Sequence, residues 1–387
     1  MNLLRQIFVV SAMNFRSLPQ RFWTSMVIVV GLGATVGVLL SMLSMTAGIR
    51  QVYTLAGSPG RAIIASLGAD NEGQSSLSRD NVQTIMNAPG IARDTDGRPL
   101  VDQSVNISIP MLRANGTKGF ITLRGFGPKG AKVRYEMQMV AGRMFEPGKR
   151  ELIVGVEGQK LYQHLAIGEK VILPDGEWPI VGSFRSGDIL EGQLIGDSDT
   201  LMAATRHPNY NTVILRLASY DSLGELRKSL TTNPALSVHV ERHSDWYTKV
   251  IDNSTSLFAT LAYAIGGIMA IGALFGCLNT MYAAVSARSR EIATLRALGF
   301  NGFPVAVSVI LEAVVLAAAG ALIGAAIAWA LYDGKQDAFG ANVFTLRVTP
   351  AMVGLGIVWA VVLALLGGLF PSIRAARIPI VDALRAT

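Results

Sequence analysis

Residues 22–49 contain no charged side chain, and the same holds for 253–287, 313–332 and 348–373. A helix needs roughly 20 apolar residues to cross the hydrocarbon core of a bilayer, and each run meets that length. The third is extended by 303–311 and interrupted there only by Glu312. In lipid every backbone amide and carbonyl must be paired within the chain, so only helices and closed barrels can cross. No series of alternating ten-residue segments points to a barrel. With 50% hydrophobic and only 16% charged residues, the chain reads as an α-helical membrane protein with four transmembrane helices.

Charge orients those helices. Arg5, Arg16 and Arg21 precede the first run, Arg288, Arg290 and Arg296 with Glu291 lie between the second and third, and Arg374, Arg377 and Arg385 with Asp382 follow the fourth. The long segment 50–252 is nearly neutral, with 23 basic and 22 acidic residues. Almost all of the net charge of +7 therefore falls in segments that share one side of the membrane. Basic loops remain in the cytoplasm, which puts both termini there and 50–252 outside. The basic pI is then an address label for topology and implies no nucleic-acid partner. A signal peptide cleaved near the SMTAG sequence competes for the first run, but its apolar region would be only about 7–15 residues long.

The expected organisation is a cytoplasmic interfacial helix (1–21), spans at 22–49, 253–285, 303–332 and 348–371, and an extracytoplasmic α+β domain (50–252). A cytoplasmic connecting helix (286–302), a short outer loop (333–347) and a cytoplasmic tail (372–387) complete it. The only cysteine, Cys277, lies in the second span, so no disulfide staples the large domain, which must fold on its own core. Strands are expected at 61–67, 212–217 and 236–240, and helices at 78–87 and 221–230. Asn115-Gly116 and Asp175-Gly176, each between apolar alternations, signal hairpins. From Ser244 a helical pattern runs without a breaker into the second span, as a stalk would.

Catalytic candidates are few. His239-Val-Glu-Arg-His243 would bring two imidazoles to one face of a helix, the basis of a membrane-anchored hydrolase reading. It matches no zinc-protease motif, however, and begins in a strand pattern, so two satisfied histidines is the simpler account. There is no GxSxG and no GxxxxGK[ST] in the chain. We therefore expect no catalytic residues and no metal in this chain, and any ATP hydrolysis must come from another chain. The Asn-x-Ser/Thr triplets at Asn106, Asn115 and Asn253 matter only in a eukaryotic secretory setting.

Within the spans three pairs of glycines recur at four-residue spacing: Gly33 and Gly37, Gly272 and Gly276, Gly320 and Gly324. That spacing lets helix backbones approach closely, so all six are expected to be helix-packing residues, either within the chain or against a second copy. Glu312 is a charge that must be paired, protonated or turned toward a cavity; a structural hydrogen bond across helices suits it better than proton relay, which would need a second intramembrane carboxylate or histidine. The connecting stretch SARSREIATLRALGFNGFPV reads as a short basic helix. Ile292, Leu295 and Gly299, with Ala293 and Leu298, form its apolar side, and Arg288 is spaced to pair with Glu291. Gly299 suits the position after the cap. On physics alone this helix is either an interfacial anchor or a docking element.

SREIATLRALGF resembles the signature after the second span of FtsX/MacB-like ABC transporter permeases. LEAVVLAAAGALIGA at 311–325 is similar to the family's third span, and FPSIRAARIPIVDALRAT at 370–387 to its C-terminal ending. AGRMFEPGKRELIVGVEGQKLYQHLAIGEKVIL, followed by WPIVGSF, is similar to its MacB-like periplasmic core. The resemblance implies a half-transporter that pairs with a second copy or close relative and works with a separate ABC ATPase, a periplasmic adaptor and an outer-membrane channel. It casts 286–302 as a coupling helix, with Arg288, Arg290, Glu291, Leu295, Arg296 and Gly299 at the ATPase. Pro379, Asp382, Leu384 and Arg385 would form a secondary contact. The same resemblance allows an FtsX-like regulator of cell-wall hydrolases.

Overall fold

The computed structural model describes residues 3–134 and 136–378. The chain divides into two units, one of Met1–Ala47, Leu257–Gly334 and Arg347–Thr387, the other of Gly48–Ser256 and Lys335–Leu346.

The first unit is helical. Helix Leu3–Ser17 gives way at Pro19 to a single tight turn, Leu18–Arg21. Among the described residues four helices are long and apolar enough to cross a membrane: Phe22–Ala56, His243–Ala287, Gly302–Tyr332 and Pro350–Ala376. At 1.5 Å per residue the 35-residue first helix and the 45-residue second helix extend roughly 52 and 68 Å, so both outrun a hydrocarbon core of about 30 Å. The fourth starts where its sequence directs, with Pro350 in the first turn and the Thr349 hydroxyl accepting from the Met352 amide at 3.4 Å, since a capping hydroxyl satisfies an otherwise unpaired N–H.

The third spanning helix buries a line of small residues that includes Ala313, Ala317, Gly320, Ala321 and Gly324. A Cβ placed on Gly324 would fall 2.1 Å from the Gly33 carbonyl oxygen, and one on Gly320 would fall 2.5 Å from that of Val29. Only glycine permits this approach of the first and third helices.

The second unit carries ten strands in one mixed sheet: β1 (Arg61–Ser66), β2 (Val101–Leu112), β3 (Lys118–Phe126), β4 (Gln138–Gly142), β5 (Leu152–Gly155), β6 (Lys170–Leu173), β7 (Gly176–Arg185), β8 (Leu194–Asp197), β9 (Thr212–Arg216) and β10 (Val238–Arg242). Their order is β10-β1-β9-β2-β3-β8-β5-β7-β4, with β6 on β7. Long β2 joins two halves, since 101–104 pair with β9 and 105–112 with β3. One core gathers Ile64, Val82, Leu215 and Leu226, and another Leu123, Val154, Trp178 and Leu194. Helices Arg79–Met86 and Ser222–Thr231 supply apolar faces to the first.

The Asn115-Gly116 hairpin closes β2 on β3 with Leu112 opposite Lys118, and Gly116 takes the positive φ such a turn requires. The second hairpin turns one residue earlier than expected: Leu173 pairs with Gly176, so Gly176 opens β7. The stretch read as a loop at 333–347 holds a further hairpin, β11 (Gln336–Phe339) with β12 (Asn342–Thr345). Its Val343 is buried in the Trp178 core, and Arg113 Nη1 meets Asp337 at 3.3 Å. Fifteen residues between two apolar runs give little local signal for that packing.

Candidate functional site

The connecting helix spans Ser289–Ala297. Arg288 is its N-cap, outside helical geometry at φ −106° and ψ 9°, so the chain turns there out of the second spanning helix. At the other end the Gly299 amide donates to Arg296 O at 3.1 Å and the Phe300 amide to Leu295 O at 3.1 Å, with Gly299 at φ +95°. These paired bonds satisfy carbonyls the helix leaves free, and the left-handed residue that makes them possible favours glycine.

The two faces of this helix differ. Ile292 and Ala293 are buried, whereas Arg290, Glu291 and Thr294 are exposed and Leu298 is 73% exposed. Leu298, grouped with the apolar side from its spacing, lies instead on the open side, because the helix has ended by that residue and Leu298 is its C-cap. Leu295 and Arg296 are half-buried, and Arg296 Nη1 donates to the Ile378 carbonyl at 2.5 Å. The residues just after the fourth spanning helix thus reach the connecting helix. Pro379, Asp382, Leu384 and Arg385 lie outside the described residues.

Arg288 departs most from its sequence reading. Its guanidinium is 6% exposed and pairs with Glu312 rather than Glu291, Nη1 to Oε2 at 3.1 Å, with the Glu312 side chain 5% exposed. Nη2 donates to the Ser17 hydroxyl. A buried carboxylate takes the nearest buried cation, because Coulomb attraction strengthens where water is excluded, and an exposed i, i+3 pair offers little in return. The Asn14 amide extends the cluster to the Ser308 hydroxyl at 3.0 Å, and Arg21 Nη1 donates to Ala284 O at 2.9 Å. Sequence reasoning asked for a partner for Glu312 but did not name Arg288, the first charge after the second apolar run. Ser17, Asn14 and Ser308 had no signal at all.

A cavity of about 490 Å³ lies beside this cluster, lined mostly by apolar residues such as Val10, Met281, Leu295 and Val309 with Arg288, Glu291 and Glu312 among them.

The six glycines grouped by spacing divide three ways. Gly33, Gly320 and Gly324 form the close contact of the first and third helices, and a Cβ on Gly33 would fall 2.8 Å from Gly320 O. Gly37 departs from the expectation. It is only half-buried, and a Cβ there would sit 3.5 Å from Gly324 O, an ordinary van der Waals distance that does not demand glycine. One turn beyond Gly33 the two helices have already separated enough to admit a small side chain. Gly272 and Gly276 make no such contact within the chain, since a Cβ on either would find nothing within 4 Å.

In the sheet unit, Glu72 Oε2 meets Arg124 Nη1 at 2.5 Å and its Oε1 accepts from Tyr247 OH at 2.6 Å. Burial alone would raise the Glu72 carboxyl, but the Arg124 and Arg134 guanidiniums hold it below the usual range. The histidine pair is split between elements. His239 lies on β10 with Nε2 2.8 Å from Glu241, whereas His243 is buried at the start of the second spanning helix, with Nδ1 accepting from the Ser58 amide at 3.4 Å. Among the described residues no three His, Cys, Asp or Glu are grouped to hold a metal.

Four helices apolar enough to cross a membrane, the first and second separated in sequence by a mixed sheet domain, fit a multi-pass membrane protein. The MacB-like periplasmic core domain family matches residues 24–233, more than half of the chain, and the FtsX-like permease C-terminal family matches 263–380. The chain belongs to the MacB-like ABC transporter permease family, with FtsX-like relatives. It is similar to the macrolide export ATP-binding/permease protein MacB of Shewanella sp. strain W3-18-1, at 24% identity over 89% of this chain and 57% of that protein. It is also similar to the MacB protein of Nitrobacter winogradskyi, 34% identical over 33% of this chain and 18% of that protein. The uncharacterized ABC transporter permease YvrN of Bacillus subtilis strain 168 is 32% identical over 35% of this chain and 32% of its own length. The chain thus spans from under a fifth to just over half the length of these relatives.

Proposed function

We propose that this chain is the permease subunit of a MacB-like ABC transporter, coupling ATP hydrolysis by a separate ATPase to conformational change in the sheet domain and driving export with a periplasmic adaptor and outer-membrane channel. ATP and Mg²⁺ then belong to the ATPase, and the permease works beside a second copy in the bacterial inner membrane with both termini cytoplasmic. The observation that carries this reading is the two-faced connecting helix. One side is fastened into the membrane unit through Ile292, Ala293 and Arg288, and the other presents Arg290, Glu291 and Leu298 with no ion-pair partner for Arg290 or Glu291 among the described residues. An interfacial anchor would bury its leucines in lipid and need no rigid fastening behind them.

The test is Arg290→Glu combined with Leu298→Asp. An interface disfavours reversed charges by up to several kcal/mol, so copurification of the ATPase with the tagged permease from native membranes should fall about tenfold or more, with permease yield unchanged. Undiminished association would leave the helix as an interfacial anchor. Topology has its own check in a Cys277→Ala background. Cysteines at Asn115 and Lys335 should react with an impermeant thiol reagent once the outer membrane is permeabilised, and one at Arg385 should not.

A further inference from the structure

We propose that Arg288 is not an ATPase contact but the joint of the coupling machinery, a positioning residue that fastens the connecting helix to the third spanning helix and to the N-terminal helix at once. The proposal rests on the coupling role given above and assigns it a mechanical part.

The geometry is that of a corner post. Arg288 occupies the one non-helical position between the second spanning helix, which ends at Ala287, and the connecting helix, which begins at Ser289. Any rotation of the connecting helix against the second spanning helix therefore turns about this residue. Its guanidinium fork reaches two further elements, Glu312 on the third spanning helix and Ser17 at the end of the N-terminal helix Leu3–Ser17. Ser17 Oγ donates in turn to Asn14 O at 2.9 Å, and Asn14 Nδ2 donates to Ser308 Oγ at 3.0 Å, which returns the network to the third spanning helix. Arg21 ties the same region to the end of the second spanning helix through Ala284 O.

A buried ion pair is weak evidence for stability, because desolvation offsets most of its attraction and apolar replacements often do as well. Its distinctive property is direction. Two nitrogens held in a plane fix two partners at once, whereas apolar contacts slide. The cavity of about 490 Å³ against this cluster leaves the surroundings of the connecting helix incompletely filled, so the polar network adds direction to the hold that buried Ile292 and Ala293 provide. A push on its exposed face is then transmitted to the third spanning helix, which meets the first through Gly320 and Gly324.

The test separates charge from direction. Arg288→Lys keeps the site neutral overall and retains the long stem, but a single ammonium lacks the fork that spans Glu312 and Ser17. The permease–ATPase complex is trapped with ATP and vanadate in lipid nanodiscs, and amide hydrogen exchange across β1 to β10 is compared with the nucleotide-free state. In Arg288→Lys the ATPase should still copurify, because Arg290 and Leu298 are untouched, while the nucleotide-dependent change in exchange should shrink about fivefold or more. The pair Arg288→Met with Glu312→Leu, which removes both charges, should behave alike. Ser17→Ala should give a smaller loss.

A full exchange response in Arg288→Lys, with the ATPase bound, overturns the joint and leaves the coupling role standing. Loss of ATPase from Arg288→Lys would mean that Arg288 is a docking contact after all, and would also overturn the joint. A native complex that lacks ATPase, or that shows no nucleotide-dependent change, overturns the coupling role and the joint together. If the apolar pair fails to fold, the lysine variant decides alone.

Discussion

Two glycine pairs with the same four-residue spacing have opposite surroundings. Gly320 and Gly324 bring the third spanning helix within backbone contact of the first, at Val29 and Gly33. Gly272 and Gly276 on the second helix meet nothing within 4 Å and share their helix surface with exposed Ile268, Ile271 and Phe275. The first helix is 44% buried over its most apolar stretch and the second only 22%. The difference shows that small-residue spacing licenses a close approach without naming the partner. Gly37 adds that a pair need not act as a pair, since Gly33 is in the tight contact and Gly37 is at its edge. For the first and third helices the partner is within the chain. For the second it is lipid or another molecule, and a second copy of the permease is the occupant that the proposed assembly supplies.

The contrast can be broken in order of expected effect. Gly324→Leu should be the most damaging, since even its Cβ would sit 2.1 Å from Gly33 O. Backbone atoms cannot rotate aside, so the cost should reach or exceed the roughly 1–3 kcal/mol of core overpacking, and monodisperse protein should be lost on size-exclusion chromatography. A stable, active Gly324→Leu would show that the first and third helices do not meet as described. Gly276→Leu, by contrast, should leave the folded chain intact. It should instead weaken self-association by a smaller amount, read as reduced disulfide crosslinking between Gly272→Cys permeases in native membranes. Unchanged crosslinking, or none in the parent, would assign that face to lipid. The smallest effect is expected from Gly37→Ala, whose added methyl meets only ordinary contact distances. Its elution profile and thermal stability should match those of the parent, and loss of monodisperse protein would mean that the tight contact extends a turn further than Gly33.

Much of this architecture is legible because it is local. Four uncharged runs must be buried in lipid whatever they pack against, and the Asn115-Gly116 turn follows from one residue's tolerance of positive φ. The connecting helix and its glycine stop are legible for the same reason. Its exposed face is less so: Leu298 lies on the open side because the helix has already ended there, a consequence of where the Gly299 cap closes. The β11–β12 hairpin was invisible, since Val343 is buried against residues more than a hundred positions earlier in the chain.

The sequence by itself determined which segments are apolar enough for lipid, the number of candidate spanning helices, and the need for Glu312 to have a partner. These follow from transfer free energies, which depend on composition over a short window. Only the tertiary structure decided which cation that partner is, which glycines touch, and which residues of the connecting helix are left outside. Arg288, Arg290 and Arg296 are the same side chain within nine positions, yet one is buried on Glu312, one is exposed and one holds the Ile378 carbonyl. Charge and spacing cannot separate them, because what distinguishes them is the desolvation imposed by helices whose residues are hundreds of positions apart in the chain, such as Asn14 and Ser308.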